Sequence, residues 1–295
     1  MLPRRALAGL CGLALAACSS GPAEPTMLLP PSDAVYAADG DVEYHPGSLP
    51  FIITAPHGGL LRPDDVANRR DGNVKNDART QQLARLIAEA LADGEERPHL
   101  VINLLHREKL DANRPIEDAA EGDARAEAAW NAYHDLIDQA RADVIASHGR
   151  GLLLDVHGHS HDEPRVELGY LITSTELALD DEAFETLADD SSIRHLADAS
   201  ALTFAELVRG PTSLGARLDA AGYAAMPSPR FVAPHGLPYF SGGYTLRRHG
   251  SRDGKPVDAI QLEAPKKGVR DTRLHRIAFA AVVARALRET YALLP

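Results

Sequence analysis

The stretch GLLLDVHGHSH, which runs from Gly151 to His161, joins a short apolar segment to three histidines. Its residues Leu152–Val156 are apolar except for Asp155, and a run of this length and composition predicts a buried strand. Because side chains two residues apart share one face of a strand, Asp155 and His157 should point to the same side. The stretch therefore predicts a buried strand that delivers a carboxylate and an imidazole to its carboxyl end.

The two later histidines of this stretch are predicted to lie in a loop or at the rim of a site. His159 and His161 would extend the same face only if the strand continued, and Gly158 favours a turn at that point.

Similar apolar runs alternate with helical patterns along the rest of the chain. Helical spacing of apolar residues predicts a helix that contains Leu83–Leu91 and ends at Gly94, one between Trp130 and Val144, and one from about Thr272 to Leu293. The predicted strands are Phe51–Ala55, His99–Leu105, Gly151–Val156, Leu168–Thr173 and Asp258–Ala264. This alternation predicts an α/β fold, a three-layer sandwich with a central mixed, mainly parallel sheet and helices on both faces.

Polar groups follow most of these strands, at the edge where binding sites of such folds lie. His57 follows the first strand, His157 ends the third, and Glu263 ends the last. The second strand is followed by His106, Arg107, Asp111, Asn113 and Arg114. A single histidine would be read as a packed core residue, but the convergence of several strand ends predicts a site.

The types of these residues suit a divalent metal. Catalytic zinc sites commonly use two histidines and a carboxylate and keep one position open for water, so His57 and His157 are predicted ligands. Glu263 could serve as the carboxylate base and Arg107 as the cation that stabilises the developing oxyanion. Asp155 is predicted to accept the second imidazole N–H of His157.

Composition excludes several other chemistries. The 295-residue chain contains two cysteines, Cys11 and Cys18, and both lie in the N-terminal segment described next. Disulfides, cysteine nucleophiles and thiolate-bound zinc are therefore excluded from the domain that follows. The formal net charge of −11 disfavours nucleic acid as a partner. The chain also lacks the G-x-S-x-G and H-E-x-x-H motifs of serine hydrolases and helical zinc proteases.

The N-terminus resembles the signal of a bacterial lipoprotein. Arg4 and Arg5 precede the apolar run 6–17, which ends in the lipobox-like LAAC, so residues 1–17 are predicted as a signal peptide and Cys18 as the lipidated residue. An ordinary secretory signal or a small membrane anchor is the alternative. Residues 18–34 read as a flexible tether and 35–295 as the folded domain. The predicted location is the cell envelope, on the periplasmic side of the outer membrane if the host is Gram-negative, with contact to the membrane through the lipid only.

Five motifs, in order, resemble those of the N-formylglutamate amidohydrolase family, which is related in fold to the zinc carboxypeptidases and aspartoacylases. They lie between residues 50 and 265 and read APHGG, LDANRP, DVHGHS, SGGYTLRRHG and AIQLE. The resemblance implies a metal-dependent amide hydrolase in which His57 and His157 are ligands and Glu263 is the base and proton shuttle. It further implies that Arg107 polarises the scissile carbonyl.

The resemblance also implies a substrate-binding set. Asn113 and Arg114 match a pair that clamps a substrate carboxylate, a task that suits a planar guanidinium. Gly243 and Tyr244, preceded by Gly242, match a glycine loop near the site, and Arg247 follows as a second anion contact.

The third ligand departs from the carboxypeptidase pattern, because the position three residues after His57 is Leu60. Alignment with the amidohydrolase pattern makes Asp77 the best candidate, with Asp71 and Asp64 in reserve. Asp77 followed by Thr80 also fits an ordinary helix N-cap.

The predicted function is hydrolysis, with Zn²⁺ or another divalent metal such as manganese, iron or cobalt, of an amide in a small anionic N-acyl amino acid or peptide. One alternative is a cell-wall or γ-glutamyl peptide hydrolase or carboxypeptidase. A second, of another class, is a solute-binding lipoprotein without turnover. The predicted lipoprotein signal sets the chain apart from cytoplasmic histidine breakdown, the pathway that gives the family its name. Three segments receive other expectations: a lid or substrate-shaping insertion at 177–226, a packed or solvent-facing His134, and a solvated loop containing Arg248, His249 and Arg252.

Overall fold

A mixed sheet lies at the centre of the computed structural model, which describes residues 34–294. Within this part of the chain, eight strands are ordered β1-β2-β4-β3-β5-β8-β6-β7. They are β1 Val35–Ala37, β2 Val42–His45, β3 Phe51–Ala55, β4 His99–Asn103, β5 Gly151–His159, β6 Val166–Gly169, β7 Ala225–Met226 and β8 Val257–Pro265. The predicted signal peptide, Cys18 and residues 18–33 of the predicted tether lie outside the described residues.

The four central strands run in one direction. Strands β4, β3, β5 and β8 pair in parallel, whereas β2 and β6 pair antiparallel with β4 and β8. The carboxyl ends of the central strands therefore meet at one edge of the sheet, where the sequence places its polar groups.

Helices cover both faces of the sheet, which confirms the predicted α/β three-layer fold. They are α1 Thr80–Leu91, α2 Ile116–Ala120, α3 Ala124–His148, α4 Asp181–Glu185, α5 Arg194–Ala199, α6 Phe204–Arg209, α7 Leu214–Ala220, α8 Tyr244–His249 and α9 Arg273–Tyr291. Helices α1 and α9 pack together on one face, and α3 lies on the other. None of the helices between residues 34 and 294 combines the length and apolarity that crossing a membrane requires.

Alternation along β5 assigns its side chains to the two layers. Leu152 and Leu154 belong to the core under α1 and α9, whereas Leu153 belongs to the core under α3. Asp155 and His157 follow Leu153 at two-residue intervals and so share its face. The side chains of Asp155 and His157 therefore lie on the face of the sheet that α3 covers.

Several element boundaries differ from those expected, and two of the differences occur at turns. The strand predicted at Leu168–Thr173 is β6, Val166–Gly169, and it stops before Leu171, whose φ of 65° turns the chain. Helix α1 ends at Leu91, and Gly94 lies in the turn that follows rather than at the cap.

Candidate active site

Three potential metal ligands converge at the carboxyl ends of β3 and β5. The Nδ1 atoms of His57 and His157 lie 3.0 Å apart, and each lies 3.3 Å from Asp77 Oδ2. All three residues are buried, with exposed fractions of 2%, 2% and 8%. They form a group that could hold a metal ion.

The hydrogen bonds on the far side of each imidazole determine which nitrogen carries a proton. Nε2–H of His57 donates to Asp111 Oδ1 at 2.6 Å, and Nε2–H of His157 donates to Asp155 Oδ2 at 2.9 Å. In the neutral rings both Nδ1 atoms then carry lone pairs that face each other and Asp77. Three lone-pair donors in contact repel one another unless a proton or a cation lies between them.

The spacing of these three atoms also fits a metal. Ligands bound tetrahedrally at about 2.0–2.2 Å lie about 3.3–3.6 Å from one another. The observed separations of 3.0, 3.3 and 3.3 Å are within about 0.3 Å of that range. The donor set and its geometry therefore fit a tetrahedral site whose fourth position is free for water or substrate.

The structure excludes the N-cap alternative for Asp77. The N-cap of α1 is Arg79, without a side-chain cap bond, and Thr80 bonds the backbone oxygen of Asp77 rather than its carboxylate. The Asp77 carboxylate instead accepts the N–H of Gly158 and faces both imidazoles. The reserve candidates Asp64 and Asp71 are exposed.

Charges within the cluster set its ionisation. Burial alone would raise the pKa of the Asp77, Asp111 and Asp155 carboxyls, but the facing imidazoles outweigh it and hold each pKa below its usual range. Burial lowers the pKa of His157, yet Asp155 and Asp77 outweigh it and raise that pKa well above its ordinary value. The metal-free cluster therefore retains a proton at neutral pH, and a metal ion must displace it.

Glu263 lies beside the cluster because of the sheet register, which pairs it with His157 across β5 and β8. Its Oε1 is 4.0 Å from His157 Nδ1 and accepts a hydrogen bond from Gln261. Burial raises the pKa of Glu263 to about 8; the charge of His157 opposes this shift and that of Asp77 adds to it. This carboxyl is suited to exchange a proton near neutral pH.

The predicted cationic and amide groups surround the same point. Arg107 donates from Nε to Asp111 Oδ2 at 3.0 Å and from Nη1 to Asp77 Oδ1 at 3.3 Å. Arg114 Nε lies 3.3 Å from Asp111 Oδ2, and its side chain is 40% exposed. Asn113 contacts His157 Nε2 at 3.2 Å and accepts the N–H of Thr245.

These groups line one cavity of about 560 Å³. The predicted residues that line it are His57, Asp77, Arg107, Asn113, Arg114, His157, Gly242, Gly243 and Glu263. Sequence reasoning missed Asn73, Lys75, Asn76, Tyr239, Phe240, Ser241 and Gln261. Asn76 and Gln261 stand next to or two residues from predicted site residues, which was the available signal, whereas Tyr239 and Phe240 come from a loop without a pattern.

Asp155 and Asp111 support the site from behind. Asp155 is fully buried and also accepts the Thr54 hydroxyl at 2.6 Å, as a residue that orients His157 should. Asp111 does the same for His57, a role that the sequence did not indicate although its LDANRP motif contains the residue.

Two predicted binding residues are not among those that line the cavity. Tyr244 begins α8 and its ring packs near Trp130 and His134, at centroid distances of 5.8 and 5.4 Å. Arg247, one turn later, is exposed. The backbone of Gly243 makes the close approach instead, because a Cβ there would lie 2.1 Å from Asn113 Nδ2.

The expectations for other polar groups near α8 are partly wrong. His249 is fully buried rather than solvated, and its Nε2 lies 2.8 Å from Nδ1 of His134, which is packed rather than solvent-facing. Arg248 lies over the Trp130 ring at 5.2 Å. The segment 177–226 contributes α4–α7, which pack on the α1 and α9 side through Phe184 and Phe204, and it supplies none of the described residues that line the cavity.

The loop predicted after Gly158 is also wrong for one histidine. Strand β5 continues to His159, which is buried, and His161 follows on the cavity wall. Together with Glu167 these histidines form a second group of potential ligand atoms.

Comparisons with known proteins identify the fold. The sequence matches no protein-family model and no curated protein. The structure is similar to N-formylglutamate amidohydrolase from Ralstonia eutropha JMP134, with a TM-score of 0.56 and 14% identity over 86% of this chain and 98% of that one. It is also similar to a gene product from Agrobacterium tumefaciens, with a TM-score of 0.54 and 16% identity over 88% of this chain and 96% of that one. These similarities show a shared α/β fold with the solved structures.

Proposed function

We propose that this protein is a zinc-dependent hydrolase that cleaves the amide bond of a small, carboxylate-bearing substrate such as an N-acyl amino acid. The observation that carries the proposal is the convergence of the His57, Asp77 and His157 donor atoms in one cavity with a buried carboxyl and two guanidinium groups. The fold shared with N-formylglutamate amidohydrolase supports the same reaction class.

In the proposed reaction, different residues bind the metal and transfer the proton. His57, Asp77 and His157 would hold the ion, which when bound polarises a carbonyl and makes water more acidic. Glu263 accepts a proton from the attacking water, and the C–N bond breaks as that proton passes to the amine. The water oxygen forms the new C–O bond, and the products are a carboxylic acid and an amine, which at neutral pH are the carboxylate and the ammonium, so one water is consumed for each C–N bond broken.

The arginines bind and orient the substrate. Arg107, held against Asp111 and Asp77, stabilises negative charge on the former carbonyl oxygen. Arg114 is the more exposed of the two and is available for a substrate carboxylate, with Asn113 beside it.

Glu263 distinguishes this function from solute binding without turnover. A binding protein gains nothing from a buried carboxyl beside the ligand cluster, since removing a carboxyl from water costs free energy. A hydrolase requires such a group to exchange protons.

The first experiment measures metal content by elemental mass spectrometry in the purified protein and in His157→Ala. We expect about one zinc per chain, lost in the variant and retained in His134→Ala, which removes an equally buried imidazole outside the cavity. Hydrolysis of N-acyl amino acids is then assayed with Glu263→Gln as the inactive control. A protein that takes up no zinc, manganese, iron or cobalt would contradict the proposal.

We propose in addition that the protein is held in the cell envelope by lipid on Cys18, as the N-terminal sequence indicates. Membrane fractionation of the protein and of Cys18→Ala tests this, and the variant should lose its association with the membrane.

A further inference from the structure

The order of the strands places two different walls at opposite ends of the cavity. Arg107 and Arg114 follow β4, whereas Glu167 lies on β6, four strands away. At about 4.8 Å per strand, β4 and β6 are about 19 Å apart in the sheet, and both arginines reach from the β4 side to Asp111 beside His57. His57 and His157, at β3 and β5, lie between them, so a substrate with its carboxylate at Arg114 and its carbonyl at the cluster extends its acyl group toward β6.

The wall at β6 is a fixed aromatic surface. Glu167 is 1% exposed and binds one group with each oxygen: Oε1 accepts from His161 Nδ1 at 2.9 Å, and Oε2 accepts the N–H of Phe240 at 3.0 Å. The His161 and Phe240 rings stack with centroids 5.1 Å apart and planes 18° apart. A buried carboxylate therefore holds two rings in parallel on the cavity wall.

A bound metal is not needed to explain the arrangement of His159, His161 and Glu167, although their potential ligand atoms lie close enough together to hold one. His159 donates from Nε2 to the Arg165 carbonyl at 2.8 Å, and its Nδ1 accepts the N–H of His161 at 3.1 Å. Both ring nitrogens of His159 therefore form hydrogen bonds within the protein, and Nδ1 of His161 is hydrogen-bonded to Glu167.

Part of the Phe240 ring surface is open to a ligand. Phe240 is 44% exposed although it lines the cavity, and Nε2 of His161 is the ring nitrogen left to contact a ligand. A formyl group at the cluster would leave this wall uncovered. Cavities of this volume bind ligands much larger than an N-formyl amino acid, up to the size of a drug molecule.

We propose that His161 and Phe240, held by Glu167, form an acyl-side subsite that binds a planar aromatic acyl group of the substrate. The inference rests on the proposed amide hydrolysis and specifies its substrate class: N-aroyl amino acids rather than N-formyl ones. Offset-stacked or edge-to-face contacts between the acyl ring and Phe240 would favour N-aroyl over N-formyl substrates.

The test compares kcat/KM for N-formyl-, N-acetyl- and N-benzoyl-L-glutamate with the zinc-loaded protein. We expect the benzoyl substrate to be preferred, and Phe240→Ala to lower the benzoyl-to-formyl ratio about 2- to 12-fold, mainly through KM. His161→Asn, which keeps a donor for Glu167 but removes the ring, should lower the same ratio. Leu274→Ala, which removes an exposed apolar side chain on α9, should leave the ratio as it is.

A preference for the formyl substrate, or a ratio that neither variant changes, overturns the subsite. If the zinc-loaded protein hydrolyses none of the three compounds, the proposed function fails, and calorimetric titration of the same compounds still decides the subsite. Tighter binding of N-benzoyl- than N-formyl-L-glutamate, weakened in Phe240→Ala, would support it, and equal affinities would reject it.

Discussion

Replacing Asp155 with asparagine tests the candidate metal site through a residue that does not itself contact the ion. The carboxylate of Asp155 accepts Nε2–H of His157 with one oxygen and the Thr54 hydroxyl with the other. Asparagine has nearly the same shape but offers an oxygen to only one of these donors and carries no charge. Because Asp155 is fully buried, water cannot replace the lost acceptor.

The expected loss of zinc affinity follows from the role of carboxylates that orient a ligating histidine. Removing a group that orients a ligating histidine typically weakens metal affinity about 10- to 100-fold, or about 1.4 to 2.7 kcal/mol. At a zinc concentration of about 100 times the original Kd, bound zinc stabilises the protein by about 2.7 kcal/mol, which raises Tm by about 5 to 11 °C. For the variant at the same concentration, that increment falls to about 1 to 6 °C.

Zinc affinity is measured by competition with a chromophoric chelator, and Tm by calorimetry with and without zinc. Asp258→Asn is the matched control, because Asp258 is also fully buried and accepts bonds from Ser251 and Leu196 but is not among the residues that line the cavity. Both variants should lose stability, and only Asp155→Asn should lose zinc affinity. Unchanged zinc affinity in Asp155→Asn, or an equal loss in both variants, would refute this account of the site.

Three further predictions address protons and substrate. In the metal-free protein, the raised pKa of His157 contributes stability that is present below pH about 6.5 and is lost as pH rises through the raised value. The zinc-induced increase in Tm should grow over the same range, because zinc must displace that proton, and a pH-independent increase would contradict this. Glu263→Gln should lower kcat about 10²- to 10⁴-fold while zinc affinity, titrated in parallel, stays within about twofold of the original. Arg114→Ala should raise KM about tenfold or more, whereas Arg247→Ala, at an exposed arginine outside the cavity, should not; steady-state kinetics decide between them.

The central strands could be predicted from sequence because their apolar runs are long enough to be buried on both faces. An apolar run that continues past the end of a strand has the same composition as the strand itself. This explains why the strand predicted at Leu168–Thr173 extends beyond β6. Tyr170 and Ile172 are buried like strand residues, but they pack beyond the end of β6 without strand pairing. Burial can be inferred from composition, whereas hydrogen-bond pairing depends on a distant segment.

Gly158 illustrates a second limit of sequence reasoning. A turn is a common role for glycine, yet β5 continues through Gly158 because it pairs with Ala264 of β8. A Cβ at this position would lie 2.3 Å from the Arg270 guanidinium carbon, and that side chain bonds the carbonyl of His159. The glycine allows a close approach, and the arginine that requires it lies more than 100 residues later in the chain.

The candidate site was predictable where its residues end strands and not where packing orients them. His57, His157 and Glu263 follow from the rule that sites lie beyond the carboxyl ends of parallel strands. Asp111 lies 54 residues from its partner His57, and only the folded chain brings them to 2.6 Å. Tyr244 lies in a matching motif but turns away from the cavity because α8 begins at that residue.

The register of the sheet also links metal binding to the strength of the proposed base. Glu263 pairs with His157 on one side and with Glu167 on the other. In the metal-free protein burial, with the charges of Asp77 and Glu167, raises the pKa of Glu263 to about 8, so at neutral pH most of it is protonated and cannot accept a proton from water. A divalent cation at the cluster would neutralise Asp77 and add positive charge beside Glu263, and both changes favour the ionised carboxylate. Glu167 would remain, and its charge would keep Glu263 basic enough for the proposed role, in which it takes a proton from water and returns it to the leaving amine.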